Sequence, residues 1–206
     1  AKNVLGSIIP SGANTISILP MAHMYGMAFE FLFEFIHGCH VFYLTRVPSP
    51  AIIAQAFKDV KPAIIIAVPL VIEKIIKKKV FPKIQNSKVK LLLKMPGINK
   101  KVKQKIREQV YEAFGGNLYE VIIGGAALNQ EVEAFLKDID FPFTVGYGAT
   151  ECAPIIAYED WHKFVPSSCG KEVVHMKVKI DSENPYSKPG EILAKGLNVM
   201  LGYYKN

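Results

Sequence analysis

Short apolar runs alternate with longer stretches of helical periodicity along the first three quarters of the chain. The runs are rich in β-branched residues and predict strands at Thr15–Leu19, His40–Leu44, Ala63–Val68, Tyr119–Ile123 and Phe143–Tyr147. The intervening stretches predict helices at Met24–Ile36, Pro50–Val60, from Pro69 onward, along Val102–Ala113 and from Asn129 to about Leu136. This alternation predicts an α/β fold with a mostly parallel sheet covered by helices on both faces.

The pattern changes after about residue 158. Lysines alternate with apolar residues along Met176–Ile180, a short strand follows at Glu191–Ala194, and turn residues separate the two. A period of two predicts antiparallel strands, and no further helix is predicted. We therefore expect two subdomains, an α/β part over residues 1–158 and the start of a short, antiparallel β-rich part over residues 159–206.

Composition excludes several classes of protein. Half of the 206 residues are hydrophobic, which is enough for a sizeable core. Three cysteines without a CxxC pair exclude a disulfide-stapled scaffold and favour a reducing compartment, so we expect a cytoplasmic location. The longest charge-free apolar run, Pro62–Ile72, is far shorter than the roughly 20 residues of a membrane-spanning helix.

Two glycine-containing turns follow predicted strands, which is where ligands bind in open α/β sheets. In the first, Gly124–Ala127, glycine lets a ligand approach the backbone. The second, Gly146–Glu151, offers Tyr147 to stack on a base, the Thr150 hydroxyl to donate to a phosphate, and Glu151 to bind Mg²⁺. The alternative for the second turn is structural, with Thr150 as a helix N-cap before an acidic first turn. The spacing alone leaves both interpretations open.

The second turn contains the motif Tyr147-Gly148-Ala149-Thr150-Glu151, which resembles the Tyr-Gly-x-Thr-Glu signature of adenylate-forming, or AMP-binding, enzymes. Further matching elements occur in the family's order. They are Leu19–Gly26 (Leu-Pro-x-x-His-x-x-Gly), Val68–Ile75 (Val-Pro-x-x-x-Glu-x-Ile, typical of long-chain fatty-acid–CoA ligases), Gly124–Leu128 (Gly-Gly-Ala-Pro-Leu in the family, with Ala127 here in place of Pro), and the segments Pro189–Ile192, Lys195-Gly196 and Val199–Asn206. The chain is therefore identified as a member of this superfamily, in the long-chain fatty-acid–CoA ligase branch.

The resemblance implies a nucleotide pocket. Tyr147 would lie against adenine, and Gly148 of the same motif would border the nucleotide. Gly124, Gly125 and Ala126 would line the adenine and acyl pocket. In this interpretation residues 1–158 form the ATP- and acyl-binding subdomain.

The resemblance also implies a catalytic set of Thr150, Glu151 and His23. Thr150 would contact the α-phosphate, and Glu151 would hold Mg²⁺. His23 would lie near the reacting carboxylate and the phosphates, with Tyr25 at the acyl pocket. The implied reaction activates a fatty carboxylate with MgATP to an acyl-adenylate and then transfers the acyl group to the thiol of CoA.

Two parts of the family's machinery have no match in this sequence. The Ser/Thr/Gly-rich phosphate loop is expected upstream of residue 1, and the ribose-binding Asp and lysine-bearing C-terminal domain are expected downstream of Asn206. We therefore expect an internal fragment of the large N-terminal domain, and we predict no ligase activity for the fragment alone. A different carboxylic acid or a carrier-protein thiol acceptor stays open.

Positive charge is concentrated in residues 73–108, the basic segment. It holds thirteen lysines and arginines against two acids, a net charge of +11 in a chain of net charge +7. Three interpretations are open: a solvated face, peripheral contact with an anionic membrane, and attraction of the CoA phosphates. The solvated face is the default, and the membrane is the second choice. We expect no nucleic acid partner, because aromatic residues are not interleaved with the lysines.

A rival hypothesis makes the chain a non-catalytic domain that binds anionic surfaces through the basic segment. The two hypotheses differ in one geometric consequence. The enzyme requires Tyr147, Thr150, Glu151, His23 and the Gly124-Gly125 turn to converge on one cleft, whereas the rival leaves them scattered. Phe29, Phe31, Phe33 and Phe35 add a smaller question, since they fit either a buried helix or the lining of an acyl tunnel.

Overall fold

A computed structural model describes residues 9–84 and 86–205 of the protein. The start of the predicted first subdomain, Gln85 of the basic segment and Asn206 of the last motif lie outside this description. Five parallel strands form the central sheet in the order β2-β1-β3-β4-β5. Their bounds are β1 Asn14–Ser17, β2 His40–Tyr43, β3 Ile64–Ala67, β4 Glu120–Ile123 and β5 Phe143–Val145. The predicted parallel α/β sheet is confirmed.

Six helical stretches connect or follow these strands within the described residues. They are α1 (Met24–Gly26, Met27–Leu32 as a π-helix, Phe33–Ile36), α2 (Pro50–Val60), α3 (Pro69–Ile75, Ile76–Val80 as a π-helix, Phe81–Ile84), α4 (Ser87–Lys94), α5 (Ile98–Ala113) and α6 (Gln130–Asp138). Local capping explains several of the starts. The Ser49 hydroxyl accepts from the backbone N–H of Ile52 ahead of Pro50, and the Asn129 side chain accepts from Val132.

Helices cover both faces of the sheet. On one face, Ile65 and Val121 pack in a core cluster with Phe57 of α2 and Ile72 of α3, and α5 and α6 contribute to the same cluster. On the other face, Ile64, Ile66 and Ile122 pack with Phe29 and Phe33 of α1. Strand β3 is therefore buried on both sides, as its uninterrupted apolar sequence predicts.

Helix α1 buries two carboxyl groups that the hydrophobic pattern does not predict. The Glu30 carboxylate accepts hydrogen bonds from the backbone N–H groups of Ile18 and Leu19 and from the Ser17 hydroxyl. The Glu34 carboxylate accepts from the Thr15 hydroxyl at 2.8 Å. Burial raises the pKa of Glu30 to about 7 and that of Glu34 to about 8. Both acids hold α1 against the start and end of β1.

The remaining strands are antiparallel. Strands β6 (Tyr147–Gly148), β7 (Ile155–Tyr158) and β8 (Lys171–Glu172) form one small sheet, and β9 (Met176–Asp181) pairs with β10 (Glu191–Gly196) in another. The predicted antiparallel pair is confirmed. Strands β7 and β8 lie on opposite sides of the boundary at residue 158, and the division into two subdomains stays a prediction.

The predicted strand Phe143–Tyr147 is two separate strands in the structure. Strand β5 ends at Val145, and Tyr147 already belongs to the antiparallel sheet. The backbone N–H of Gly146 still donates to the carbonyl of Ile123 at 2.9 Å before the chain turns away. Gly148 permits the new pairing, since a Cβ there would lie 2.1 Å from the carbonyl oxygen of Pro154.

Candidate functional site

A cavity of about 230 Å³ opens at the carboxyl ends of β4 and β5. Seven of the nine predicted site residues line it: His23, Tyr25, Gly124, Gly125, Tyr147, Gly148 and Thr150. Ala126 and Glu151 are not part of the lining. Ala126 is exposed beyond the glycine turn, and Glu151 is the direct neighbour of Thr150. Of the five features that the enzyme hypothesis names, the fold brings four to one cavity, and Glu151 lies next to it in the chain.

Parallel strand ends bring the two glycine turns together. The backbone N–H of Gly124 donates to the carbonyl of Ala67 at the end of β3, and that of Gly146 donates to Ile123 at the end of β4. Three strands thus finish at one edge, in the order β3, β4, β5. Ligands bind in open α/β sheets at this kind of edge.

Tyr25 forms one wall of the cavity. Its hydroxyl donates to the carbonyl oxygen of Ile122 at 3.2 Å, and a Cβ on Gly124 would lie 3.0 Å from the same hydroxyl. Only glycine lets the ring lie this close to the β4 end. Burial, reinforced by the charge of Glu30, raises the pKa of Tyr25 above its ordinary value. The phenol therefore stays neutral and keeps its proton at neutral pH.

His23 begins helix α1. Its Nδ1 accepts a hydrogen bond from the backbone N–H of Tyr25 at 3.1 Å, so the ring caps the helix. With Nδ1 as acceptor, the neutral imidazole carries its proton on Nε2. This leaves an N–H donor on a side chain that lines the cavity.

Thr150 does not cap the turn that contains it. A short 3₁₀ helix, Thr150–Cys152, has Ala149 at its N-cap position and no side-chain cap hydrogen bond. The structural alternative for this motif, a threonine N-cap, is therefore not what the chain adopts. The exposed Thr150 instead contributes to the cavity lining, where its hydroxyl can donate to a ligand oxygen.

Glu151 is held by the last motif of the chain. The Tyr203 hydroxyl donates to its Oε1, and the backbone N–H of Met200 donates to the Glu151 carbonyl. The Tyr203 bond, with a smaller contribution from the backbone, lowers the pKa of Glu151 below its ordinary value. Glu151 is therefore an ionised carboxylate at neutral pH, next to the threonine at the cavity.

Mg²⁺ is compatible with this donor set. In proteins Mg²⁺ is usually bound by one or two carboxylates together with substrate phosphates and water. Glu151 supplies one such carboxylate, only partly covered by protein. Across residues 9–84 and 86–205, His, Cys, Asp and Glu side chains form no group of three or more that could hold a metal by itself.

Several lining residues belong to no motif, and sequence reasoning missed all of them except Phe29, which was considered for an acyl tunnel. Phe29, Ile122, Pro154, Ile155 and Val173 supply apolar walls, and Tyr158 of β7 completes the lining. Of the four phenylalanines considered for an acyl tunnel, only Phe29 is part of the lining, and Phe35 is 73% exposed. The antiparallel strand β7 was not predicted, so nothing in the sequence pointed to its side chains.

Tyr158 connects the cavity to a buried acid. Its hydroxyl donates to Oε2 of Glu120 at 2.7 Å, and Glu120 is fully buried at the start of β4. Burial raises the pKa of Glu120 to about 8. The sequence of β4, Glu-Val-Ile-Ile, does not indicate that this carboxyl group is buried.

A second cavity lies in a different part of the molecule and contains none of the predicted site residues. It measures about 500 Å³ and is bordered by helices α2, α3 and α5. Its walls carry Lys58, Lys61, Lys79 and Lys83 above apolar residues such as Val80 and Ile106. Lys79 and Lys83 of the basic segment thus border this second cavity and not the one lined by the motif residues.

The whole chain, with the exception of its first two and last two residues, matches one family model. The match is to the AMP-binding enzyme family and extends over residues 3–204. The chain belongs to the AMP-binding enzyme family. The family predicted from the five sequence motifs is therefore confirmed.

One relative is similar to the chain in sequence, and two solved structures are similar to it in fold. The chain is 25% identical to long-chain-fatty-acid–CoA ligase 4 of Saccharomyces cerevisiae, over 99% of this chain and 32% of the relative. A benzoate CoA ligase from Burkholderia xenovorans LB400 superposes with a TM-score of 0.72 at 17% identity, over 100% of this chain and 37% of that one. The anthranilate CoA ligase AuaEII, solved with anthranoyl-AMP, gives a TM-score of 0.72 at 17% identity, over 100% and 35%. The chain spans about a third of the length of these proteins.

Proposed function

We propose that this AMP-binding chain is the central part of a long-chain fatty-acid–CoA ligase. The observation that supports it is the convergence of seven motif residues on one cavity at the ends of β4 and β5. The similarity to a yeast long-chain-fatty-acid–CoA ligase supports the fatty acid as substrate. ATP and CoA are the co-substrates, and the proposal keeps the cytoplasmic location expected from the sequence.

The proposed reaction has two displacements. A carboxylate oxygen of the fatty acid attacks the α-phosphorus of ATP, and the bond from that phosphorus to its bridging oxygen breaks to release pyrophosphate. The CoA sulfur then bonds to the acyl carbon and loses its proton as AMP leaves. Neither step needs a covalent bond to the enzyme, so positioning and neutralisation of developing charge carry the catalysis.

The side chains of the cavity fit these needs. The Nε2–H of His23 and the hydroxyl of Thr150 can donate to phosphate or carboxylate oxygens, and Tyr147 offers a ring at the rim. Glu151 would hold Mg²⁺, which when bound neutralises charge on the phosphate oxygens. The apolar walls at Phe29 and Ile155 suit an acyl chain better than they suit a charged group.

The chain on its own is expected to lack ligase activity. The phosphate loop and the lysine with which the family neutralises phosphate charge have no match among its 206 residues. The purified 206-residue chain should therefore give no thioester from ATP, CoA and palmitate. A thioester product that depends on both ATP and CoA would contradict this expectation.

The activity itself is tested in the longest open reading frame that contains this chain. Thr150→Ala should lower kcat for palmitoyl-CoA formation by about 10²- to 10³-fold, because a preorganised donor to developing charge is lost. Thr45→Ala is the matched control, since Thr45 is exposed and does not line the cavity. The same assay with benzoate and with a medium-chain acid separates the fatty acid from other carboxylates.

Two results would overturn the proposal. One is equal loss of activity in Thr150→Ala and Thr45→Ala, which would remove the cavity from the reaction. The other is a benzoate rate well above the palmitate rate, which would assign the chain to an aryl-acid ligase. The proposal also includes peripheral contact of the basic segment with an anionic membrane.

A further inference from the structure

Helix α4 exposes large apolar side chains in the middle of the basic segment. Leu91 is 64% exposed, Leu92 38%, Met95 at the end of the helix 40%, and Ile98 at the start of α5 39%. Met95 follows Leu91 by four positions and Leu92 by three, so these side chains share one helical face. The burial of such residues is ordinarily favourable, and four within eight positions form a patch without a partner in the described residues.

The opposite side of α4 is anchored to the body of the protein. Val89 and Leu93, which are also four positions apart, pack against the main core cluster. The helix itself contacts α5 and the last turn of α3. The exposed face is therefore held outward by packing on the other face.

Positive charge surrounds this patch. Lys88 lies before the leucines, and Lys100 and Lys101 lie after Ile98; all three are exposed. Within the described residues none of the three forms an ion pair, whereas Lys103 and Arg107 further along α5 pair with Asp138 and Asp140. The acids of the segment, Glu73 and Glu108, lie at its two ends. These three charges near the patch are thus all positive, and none of them is paired with an acid among the described residues.

We propose that this α4 surface, defined as Lys88, Leu91, Leu92, Met95, Ile98 and Lys100, docks on an anionic bilayer. The leucines and methionine insert at the boundary between headgroups and acyl chains, and the lysines bind lipid phosphates and carboxylates. Interfacial helices combine an apolar face and flanking lysines in this way. The inference deepens the membrane contact of the proposed function, because a bilayer is where a long-chain fatty acid accumulates.

A bilayer fits this surface better than the other anionic partner, a nucleic acid. Single-stranded nucleic acids are bound through aromatic side chains on which bases stack, and the α4 surface has none. A bilayer, by contrast, offers an apolar layer directly beneath its anionic headgroups, which matches leucines set between lysines.

The first experiment measures sedimentation of the 206-residue chain with vesicles, without ATP, acid or CoA. Vesicles of phosphatidylcholine with about 30% phosphatidylserine should bind the chain at least about tenfold more strongly than pure phosphatidylcholine vesicles. Raising the salt to about 1 M should remove most of this difference, since the screening length falls to about 3 Å. Equal binding to both vesicle types, or no binding to either, overturns the proposal.

A charge-reversal pair tests the location of the contact. Lys88→Glu with Lys100→Glu should lower binding to the anionic vesicles by about 30-fold or more, from about 1 kcal/mol per lysine near the surface. Lys177→Glu with Lys195→Glu is the matched control, because it makes the same change in net charge on β9 and β10. Equal losses in the two pairs would show attraction by net charge alone and would overturn the α4 surface as the contact.

Insertion is tested with the leucines. Leu91→Ser with Leu92→Ser should weaken binding by about tenfold or more, whereas Leu197→Ser with Leu201→Ser, also exposed leucines, should change it less than about twofold. In addition, Leu91→Trp in a Trp161→Phe background makes residue 91 the only tryptophan of the chain. Its emission should shift to the blue on anionic vesicles and be quenched by brominated lipids.

Three outcomes of these leucine experiments would contradict insertion. One is unquenched emission from the introduced tryptophan while the chain still sediments with vesicles. Another is equal loss of binding in both serine pairs. The third is a dimer in solution that Leu91→Ser with Leu92→Ser abolishes, since a second copy would then cover the face. Failure here leaves the ligase assay untouched, and an inactive ligase leaves the vesicle binding untouched.

Discussion

The cavity at the strand ends and the basic segment differ in what determines their function. In the cavity, individual residues occupy positions that backbone geometry makes specific, such as Gly124 beneath the Tyr25 ring and Gly148 against Pro154. Among the described lysines of the basic segment only Lys103 forms an ion pair, with Asp138, and the remaining charge acts as a sum. A motif therefore identifies chemistry residue by residue, whereas a charge pattern identifies only a class of partner.

The largest expected difference between the two regions comes from replacing a glycine in each with alanine. Gly148→Ala places a Cβ 2.1 Å from the Pro154 carbonyl oxygen, so β6 and β7 must separate. We expect a loss of about 3 kcal/mol in the free energy of unfolding, typical of severe overpacking. Gly97→Ala, in the basic segment, meets nothing within 4 Å and has only the strain of a φ of +80°, about 1 kcal/mol.

Urea denaturation of both variants measures this difference. The midpoint should move further for Gly148→Ala than for Gly97→Ala, with the slope unchanged in both. Equal midpoint shifts would mean that β6 and β7 pack no more tightly at Gly148 than the chain does at Gly97. The two regions would then not differ in the constraints on their backbone.

The next effect comes from the buried acid beside the cavity. A carboxyl whose pKa is raised in the folded state stabilises the fold at low pH, and this contribution is lost as the pH rises. For Glu120 the loss runs from about pH 4.5, its ordinary pKa, to about 8. Glu120→Gln cannot ionise, so relative to wild type it should gain about 2 kcal/mol in stability between about pH 5 and about pH 6.5.

Chemical unfolding at the two pH values tests this gain. Lys88→Gln, an exposed change in the basic segment, is the control and should keep the wild-type pH dependence. If Glu120→Gln and wild type respond identically to pH, the Glu120 carboxyl is already ionised in the fold and its burial is not costly.

The smallest effect concerns Glu151. Tyr203→Phe removes the hydroxyl that holds the carboxylate, so the pKa of Glu151 should rise toward its ordinary value. At neutral pH the carboxylate stays ionised, and overall stability should hardly change. A carboxyl-carbon NMR titration of Glu151 follows this shift directly, with Tyr204→Phe as the neighbouring control. An unmoved titration would show that the hydroxyl contributes nothing to the carboxylate.

Sequence reasoning located most of the sheet because its signals are local. Strand β3 is apolar at each position, and Pro50 and Asn129 mark helix starts by their own hydrogen-bonding chemistry. The break at Gly146 escaped prediction because Phe143–Tyr147 has one continuous pattern, and only the pairing of Tyr147 with β7 divides it. All nine predicted site residues came from the family's motifs. Seven of them line the cavity, and the other two, Ala126 and Glu151, lie directly beside residues of the lining.

Periodicity along the chain was sufficient for the class of the fold, its parallel sheet and the position of the two glycine turns at the strand ends. Periods of about two and about 3.6 residues act between near neighbours, so they can be read without coordinates. Only tertiary packing decided that α1 covers one face of the sheet while the other helices contribute to the core on the opposite face. Packing also decided that the side chains of Glu30, Glu34 and Glu120 are buried and that the Leu91 side chain is exposed to solvent. These outcomes depend on residues distant in the chain that meet in space, and hydrophobicity by itself does not say which apolar or charged group finds a partner.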